Sequence, residues 1–246
     1  MSIGELAERA GVVKSVVIRT CKSLGFSGYS QLKIALAKEN AKNLKFNYTP
    51  YINGDDNPEA VMQKIFSANI KTLHDTMNGL DKKVLTETVE SLSRAKNIYI
   101  YGIGTSAGIA ADFQYRLMQL GFTAFCFTDI VSIKVSTLNI KQGDIAIGIS
   151  NSGRTSATVD ALRYARENGA KTACVTSYPN SEITKHSDFP IVIYTDEIQY
   201  PIEAISARIA HISVLDSLCI SLSAKNYDKA MQRSAKTHAL IDTVRY

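Results

Sequence analysis

The 246-residue chain has no tryptophan, and its four cysteines (Cys21, Cys126, Cys174, Cys219) lie far apart, with no C-x-x-C pair among them. That spacing excludes the common zinc and dithiol motifs, so the sequence calls for no metal and no cofactor, and the thiols read as buried side chains. Long apolar runs are missing too. The longest, around Ile98 to Tyr101 and Ile145 to Ile149, fall far short of the roughly 20 residues that span a bilayer, so no membrane partner is expected. The opening Met1, Ser2, Ile3, Gly4, Glu5 has neither the basic nor the apolar region of a secretory leader, which predicts a cytoplasmic protein.

What is present suits a globular protein with a real core: 45% hydrophobic and 21% charged residues. The length accommodates one α/β domain and a smaller unit, since domains commonly run to about 100–200 residues. Charge is unevenly placed. Residues 1–45 hold eight Lys or Arg against three acids, while the remainder balances 20 against 20, so the whole net charge of +5 sits in the first fifth of the chain. Such a footprint is the one expected of an anionic partner such as DNA, although charge alone favours a solvated basic helix.

Ser2 and Glu5 have capping-box spacing, and Ile3, Leu6, Ala7 and Ala10 give the following short helix one apolar face. Gly11 ends it. A second helix over Val12 to Leu24 has Val12, Val17, Cys21 and Leu24 as inward positions and Lys14, Ser15, Arg19 and Lys22 on other faces. Two short helices with a tight turn, the second basic outside, describe a helix-turn-helix whose second helix enters the major groove. Lys14, Ser15 and Arg19 are the DNA-contact candidates, with Lys22 for the phosphate backbone. A third helix is expected from Tyr29 to about Asn43.

The run LAERAGVVKSVVIRTCKSLGFSGYSQLKIALA resembles the N-terminal domain of RpiR-like transcriptional regulators, carried by Leu6-Ala7, Gly11-Val12, Arg19, Cys21 and Leu24 to Tyr29. The resemblance implies a DNA-binding domain ahead of a sugar-phosphate-binding one. Three positions depart from the pattern. Where the family commonly has Ser, Thr and Phe, this chain has Val13, Val16 and Thr20; the first removes a side-chain N-cap, and the last puts a hydroxyl at an expected core position. The family generally carries about one or two further helices before this point, so the resemblance implies a shortened start and a unit near the lower size limit for an independent core.

Turn-formers crowd residues 46–58 (Asn47, Pro50, Asn53, Gly54, Asp55, Asp56, Asn57, Pro58), which predicts a linker between a domain over 1–45 and another over 59–246. Helices over Glu59 to Asn78 and from the Asp81 cap through Ser93 lead into the second domain and are candidates for contacts with a second copy. From Asn97, strands Ile98 to Tyr101, Ala124 to Phe127, Ile145 to Ile149, Thr172 to Val175 and Ile191 to Tyr194 alternate with helices, the last over Ile202 to about Ala224. The expected fold class is α/β: a parallel five-stranded sandwich preceded by an all-α helix-turn-helix, with ligands at the C-terminal strand ends.

Two loops stand out at that edge. Gly102-Ile103-Gly104-Thr105-Ser106-Ala107-Gly108 combines close-approach glycines with a helix start at Ser106, and Ser150-Asn151-Ser152-Gly153-Arg154-Thr155 offers three hydroxyls directly before another helix. A dinucleotide site would need a ribose-binding acid after strand two, where Asp129 is the only candidate. YGIGTSAGIA and IGISNSGRT resemble the corresponding loops of the SIS (sugar isomerase) domain, a likeness that covers roughly Asn97 to Ala224. It implies that Ser106, Ser150, Ser152 and Thr155 bind the phosphate of a sugar phosphate, with Thr105 and Asn151 in support; Gly104 and Gly153 of the same loops are ligand-binding candidates beside them.

Some SIS proteins are isomerases, and isomerisation needs a carboxylate or histidine to move a proton. Glu203 and His211 are the candidates, but they stand about 12 Å apart along one helix, too far for a joint relay within one subunit, which leaves Glu203 to hydrogen-bond the sugar hydroxyls and His211 as a helix-face residue. Arg208 and Asp216 match the regulators' last helix, Ala207 stands where those often have Ser, and an i,i+8 structural role is the simple reading of the pair. Tyr178, Lys185 and His186 line a nearby strand end without an assigned role. The expected function is therefore a regulator of carbohydrate metabolism, binding operator DNA and a phosphorylated sugar as a homodimer or homotetramer through its SIS domains. The alternative is a sugar-phosphate isomerase with a helical appendage.

Overall fold

The computed structural model describes residues 2–33, 52–196 and 205–244. The chain divides into two units, Met1–Thr49 and Pro50–Tyr246. Most of the expected third helix, residues 46–51 of the linker and Glu203 lie outside the described residues.

In the first unit, α1 (Ile3–Arg9) opens with the full capping box: Glu5 N–H donates to Ser2 Oγ, and Ser2 N–H to the Glu5 carboxylate at 2.6 Å. Gly11, at φ +64°, makes the turn, and α2 (Lys14–Ser23) follows. Ala7, Val17 and Cys21 are buried, with Ile3, Leu6, Phe26, Tyr29 and Leu32 packed around them. Ala10, Val12 and Leu24, expected inward, are exposed, because Ala10 is the C-cap of α1 and the other two lie outside the span of α2, where helical phase no longer applies. Thr20, expected in the core, is also exposed, and its hydroxyl donates to the Val16 carbonyl one turn back. Val13 occupies the N-cap position of α2 without a side-chain hydrogen bond.

The second unit begins with α3 (Pro58–Gly79), whose first turn is capped by Asn57, and α4 (Lys82–Arg94), capped by Asp81. Then come β1 (Ile98–Gly102), α5 (Thr105–Gln119), β2 (Ala124–Phe127) and α6 (Ile130–Ser136), which runs into a 3₁₀ turn over Thr137–Asn139. They are followed by β3 (Ile145–Ile149), α7 (Ser156–Glu167), β4 (Lys171–Thr176), the single turn α8 (Glu182–Lys185) and β5 (Phe189–Val192). Last are α9 (Ile205–Lys225) and α10 (Tyr227–Asp242). All strand pairs are parallel, in the order β2-β1-β3-β4-β5. Alternate strand residues serve opposite faces. Ile98, Ile100, Ile145, Ile147 and Val175 pack against α4, α5 and α9, whereas Tyr99, Tyr101, Ala146 and Cys174 pack against α6, α7 and α8. The result is the expected three-layer sandwich.

The cysteines are all free: Cys21, Cys174 and Cys219 are buried, and Cys126 is half-buried. Burial pushes the Cys174 thiol up to about 11 and the Cys219 thiol up to about 12, so both stay protonated. One expectation changes: α9 has the length and apolar content of a membrane-crossing helix, which Arg208, His211 and Asp216 hide in a search for uninterrupted runs. Its Ala207, Ala210, Val214, Leu218 and Leu222 are buried, most of them in the sheet core, which accounts for its composition.

Candidate functional site

The strand order reverses at β1, which lies between β2 and β3, so chain segments leave in opposite directions beyond the C-terminal ends of β1 and β3. A crevice opens there by construction. Both hydroxyl loops flank it, because Gly102 and Ile149, the residues from which they leave the sheet, are paired across adjacent strands.

In the first loop Gly104 is the N-cap of α5 at φ +62° and ψ −125°, a backbone region that only glycine populates readily. No side chain caps α5, and the helix starts at Thr105, one residue before the expected Ser106. Thr105 is exposed and Ser106 buried. A methyl at Gly102 would stand 2.7 Å from the Ser106 carbonyl oxygen, so its absence lets the helix close directly onto the strand.

The second loop is folded on its own hydroxyls. Ser150 Oγ lies 3.2 Å from Thr155 Oγ1 and accepts the Gly153 N–H at 3.1 Å, while Ser152 Oγ accepts the Arg154 N–H at 3.3 Å. Ser150 is buried, Asn151 and Thr155 are half-buried, and Ser152 and Arg154 are exposed. The loop is also fastened sideways: Ser177 Oγ donates to Asn151 Oδ1 at 2.6 Å, and Thr176 Oγ1 and Ser177 N–H donate to the Asn151 carbonyl, each at 3.0 Å. Asn151 thus holds the loop to the end of β4 with its side-chain oxygen. Thr176, Ser177 and Ser181 were not expected here, although the hydroxyl-rich stretch after β4 carries the same composition signal as the loop it braces.

α7 likewise has no side-chain cap, its N-cap residue being Thr155, whereas α3, α4 and α6 of this unit are capped by Asn57, Asp81 and Asp129. Two helix N-termini without side-chain caps, a set of neutral hydroxyls and the exposed Arg154 gathered at one sheet edge make an anion-binding environment, with the Ser106 and Ala107 N–H groups of α5 already donating to the Ile103 and Gly104 carbonyls.

Among the described residues, the candidate acids and histidines are engaged by other partners. Asp129 accepts the Val131 and Ser132 N–H groups and its hydrogen bonds with Ser132 hold it below the usual carboxylate range, so it acts as a helix cap rather than a ribose acceptor. His211 is 2% exposed, with Nδ1 2.8 Å from the Ala207 carbonyl, and burial lowers its pKa. Asp216 pairs with Arg116 of α5 at 3.0 Å rather than serving Arg208, which is exposed, so the i,i+8 reading is corrected. Lys185 and His186 face Glu182 on their own short helix, and Tyr178 is exposed.

On the first unit, Lys14, Ser15, Arg19 and Lys22 are all exposed; Ser15, Arg19 and Lys22 lie on the side of α2 away from Val17 and Cys21, whereas Lys14, one turn before Val17, stands on the same side as that pair and runs alongside Gly4 of α1. Ile18, which sequence reasoning did not single out, is 40% exposed between Lys14 and Lys22 at i,i+4 spacing from each.

The SIS domain family matches residues 91–238, and the "Helix-turn-helix domain, rpiR family" matches residues 1–43. The HTH-type transcriptional regulator HexR of Pseudomonas aeruginosa is 34% identical over 90% of this chain and 77% of its own. The chain belongs to the rpiR family of transcriptional regulators. Among solved structures, this rpiR-family protein is similar to the Vibrio vulnificus NanR protein complexed with ManNAc-6P, with a TM-score of 0.71 and 23% identity over 100% of this chain and 87% of that one. It also shares its fold with phosphoheptose isomerase GmhA from Neisseria gonorrhoeae, with a TM-score of 0.57 and 18% identity over 68% of this chain and 99% of that one.

Proposed function

We propose that this rpiR-family regulator binds operator DNA through α2 and is switched by a phosphorylated sugar held in the crevice between β1 and β3. The observation that carries the reading is the pairing of two uncapped helix N-termini with the hydroxyls of Ser106, Ser150, Ser152 and Thr155 at the strand-order reversal. Glu203, eight residues before His211 and so too far along a helix to share a proton relay with it, is assigned to the sugar hydroxyls. The sugar phosphate named for NanR is a precedent for the chemical class of ligand. On α2, Lys14, Ser15 and Arg19 reach bases, Lys22 meets phosphate, and Ile18 supplies an apolar contact suited to a thymine methyl group.

A second copy completes the switch. Met62, Phe66, Ile70 and Met77 form an exposed apolar stripe on α3, as do Val131, Val135 and Leu138 on and after α6. These are the surfaces through which SIS domains of two copies meet, and a repacking there on ligand binding alters the spacing of paired recognition helices, a coupling of about 1–3 kcal/mol. The isomerase reading is disfavoured by the burial of His211, whose Nδ1 is already engaged by the Ala207 carbonyl. A thermal-shift panel of phosphorylated sugars tests both. Stabilisation by a sugar phosphate but not by its unphosphorylated parent, without turnover, is expected; no stabilisation by any sugar phosphate ends the sensing proposal, and aldose–ketose interconversion replaces it with catalysis.

A further inference from the structure

A second cavity lies at the opposite end of the sheet from the hydroxyl loops. Its volume is about 370 Å³, and it is bounded by the end of α9, by α10, by the turn from α5 into β2 and by Ser93 of α4. Leu120, Phe122 and Leu222 give it an apolar side, and α10 contributes Lys229, Arg233 and Lys236. No carboxylate lines it among the described residues.

The three cations follow i, i+4, i+7 spacing, which puts them on one helix face and spreads their charge over about 10 Å along the axis. Two cations on neighbouring elements have acidic partners: Lys225 stands 3.4 Å from Glu90, and Arg116 lies between Asp112 and Asp216. Among the described residues, none of the cavity's three cations makes an ion pair. Arg233 is placed by the backbone opposite it: its side chain crosses the Gly121 turn, where a methyl group would lie 3.6 Å from Nε.

We propose that this cavity binds a nucleoside di- or triphosphate. A row of three cations over about 10 Å exceeds the span of a single phosphate and matches a phosphate chain. The apolar side suits the face of a base, and the volume falls within the usual range of small-molecule sites, about 300–1,000 Å³. Because it lies at the N-terminal ends of the strands, the cavity shares no residue with the crevice at the C-terminal ends, and the proposal does not depend on the sugar-phosphate reading.

The test is isothermal titration of the full chain with ATP, ADP and pyrophosphate at constant ionic strength. ATP and ADP are expected to bind, and the double variant Lys229→Gln, Arg233→Gln to weaken them about tenfold or more. Ser150→Ala and Ser152→Ala are expected to leave nucleotide affinity unchanged. Lys229 and Arg233 are exposed, so an unchanged melting temperature shows that the double variant is folded. Pyrophosphate binding as tightly as ATP overturns the nucleoside part. Loss of nucleotide binding in the serine variants moves the ligand to the other crevice and overturns the site. Weakened DNA binding by the double variant with no nucleotide binding overturns it in favour of a DNA-facing surface. A protein that binds ATP but no sugar phosphate retains this proposal and loses only the earlier one.

Discussion

Gly153 and Ser181 are packed so closely that a single methyl group on Gly153 would overlap the Ser181 hydroxyl and lie 3.0 Å from Thr176 Oγ1. The backbone at Gly153 is also left-handed, at φ +63°. A Gly153→Ala variant is therefore expected to destabilise the protein by about 1–3 kcal/mol and to abolish sugar-phosphate binding, because the loop must move to admit the side chain. Adding Ser181→Gly removes the overlap but not the dihedral cost, so it should recover part of the melting temperature. Wild-type ligand affinity in Gly153→Ala would show that the loop does not need this conformation.

His211 makes stability depend on pH in a defined direction. The Ala207 carbonyl can only accept, so Nδ1 carries the proton of the neutral ring; the Val175 carbonyl also stands beside the ring and, like that of Ala207, favours the charged form, but less than burial opposes it. Burial lowers the folded-state pKa, so below about 6.5 the unfolded chain takes up a proton that the folded chain refuses. This contribution is complete above about pH 6.5 and is lost as pH falls, with a slope of at most ~1.4 kcal/mol per unit. Denaturant melts from pH 5 to 7 should show a shallower loss in His211→Gln than in the parent; equal slopes would remove the assignment.

Val13 already has the extended backbone of an N-cap, at φ −81° and ψ 153°, and lacks only an acceptor. Val13→Ser should stabilise the helix-turn-helix by about 0.5–2 kcal/mol, read as a higher melting temperature or as slower amide exchange in α2. No change in either would mean that the introduced hydroxyl does not cap the helix.

On DNA, Lys22→Ala should flatten the dependence of log affinity on log salt by about 0.9, the contribution of one neutralised phosphate. Arg19→Ala should instead change which sequences are preferred. Fluorescence anisotropy over a salt series separates the two; an unchanged slope for Lys22→Ala would remove it from the interface.

Strands β1, β3 and β4 are legible in the sequence because central parallel strands must be apolar on both faces, which leaves short unbroken runs, and β2, at the edge, is legible from its own short apolar run Ala124 to Phe127. The apolar pattern puts β5 two residues late. Phe189 and Pro190 read as a break, yet β5 is the last strand of the sheet, and an edge strand tolerates proline because one side of its amide ladder has no partner. α10 escapes sequence reading altogether, since it buries no side chain and so leaves no apolar face to recognise. The hydroxyls of both loops are visible as composition before a helix, whereas the bracing of Asn151 by Thr176 and Ser177 arises only from the adjacency of β3 and β4. The partner of Asp216 is hidden for the same reason: Arg116 is distant in sequence and near in space.

The pairing of β1 directly with β3 makes everything between them a detour. Parallel neighbours lie about 4.8 Å apart, so the spacing of the two loops is fixed by strand hydrogen bonds and not by the length of the chain that joins them. β2, α6 and the 3₁₀ turn can therefore vary in sequence, and even in length, without changing the width of the crevice. A regulator built this way can acquire new assembly surfaces on that excursion while its chemical input stays constant.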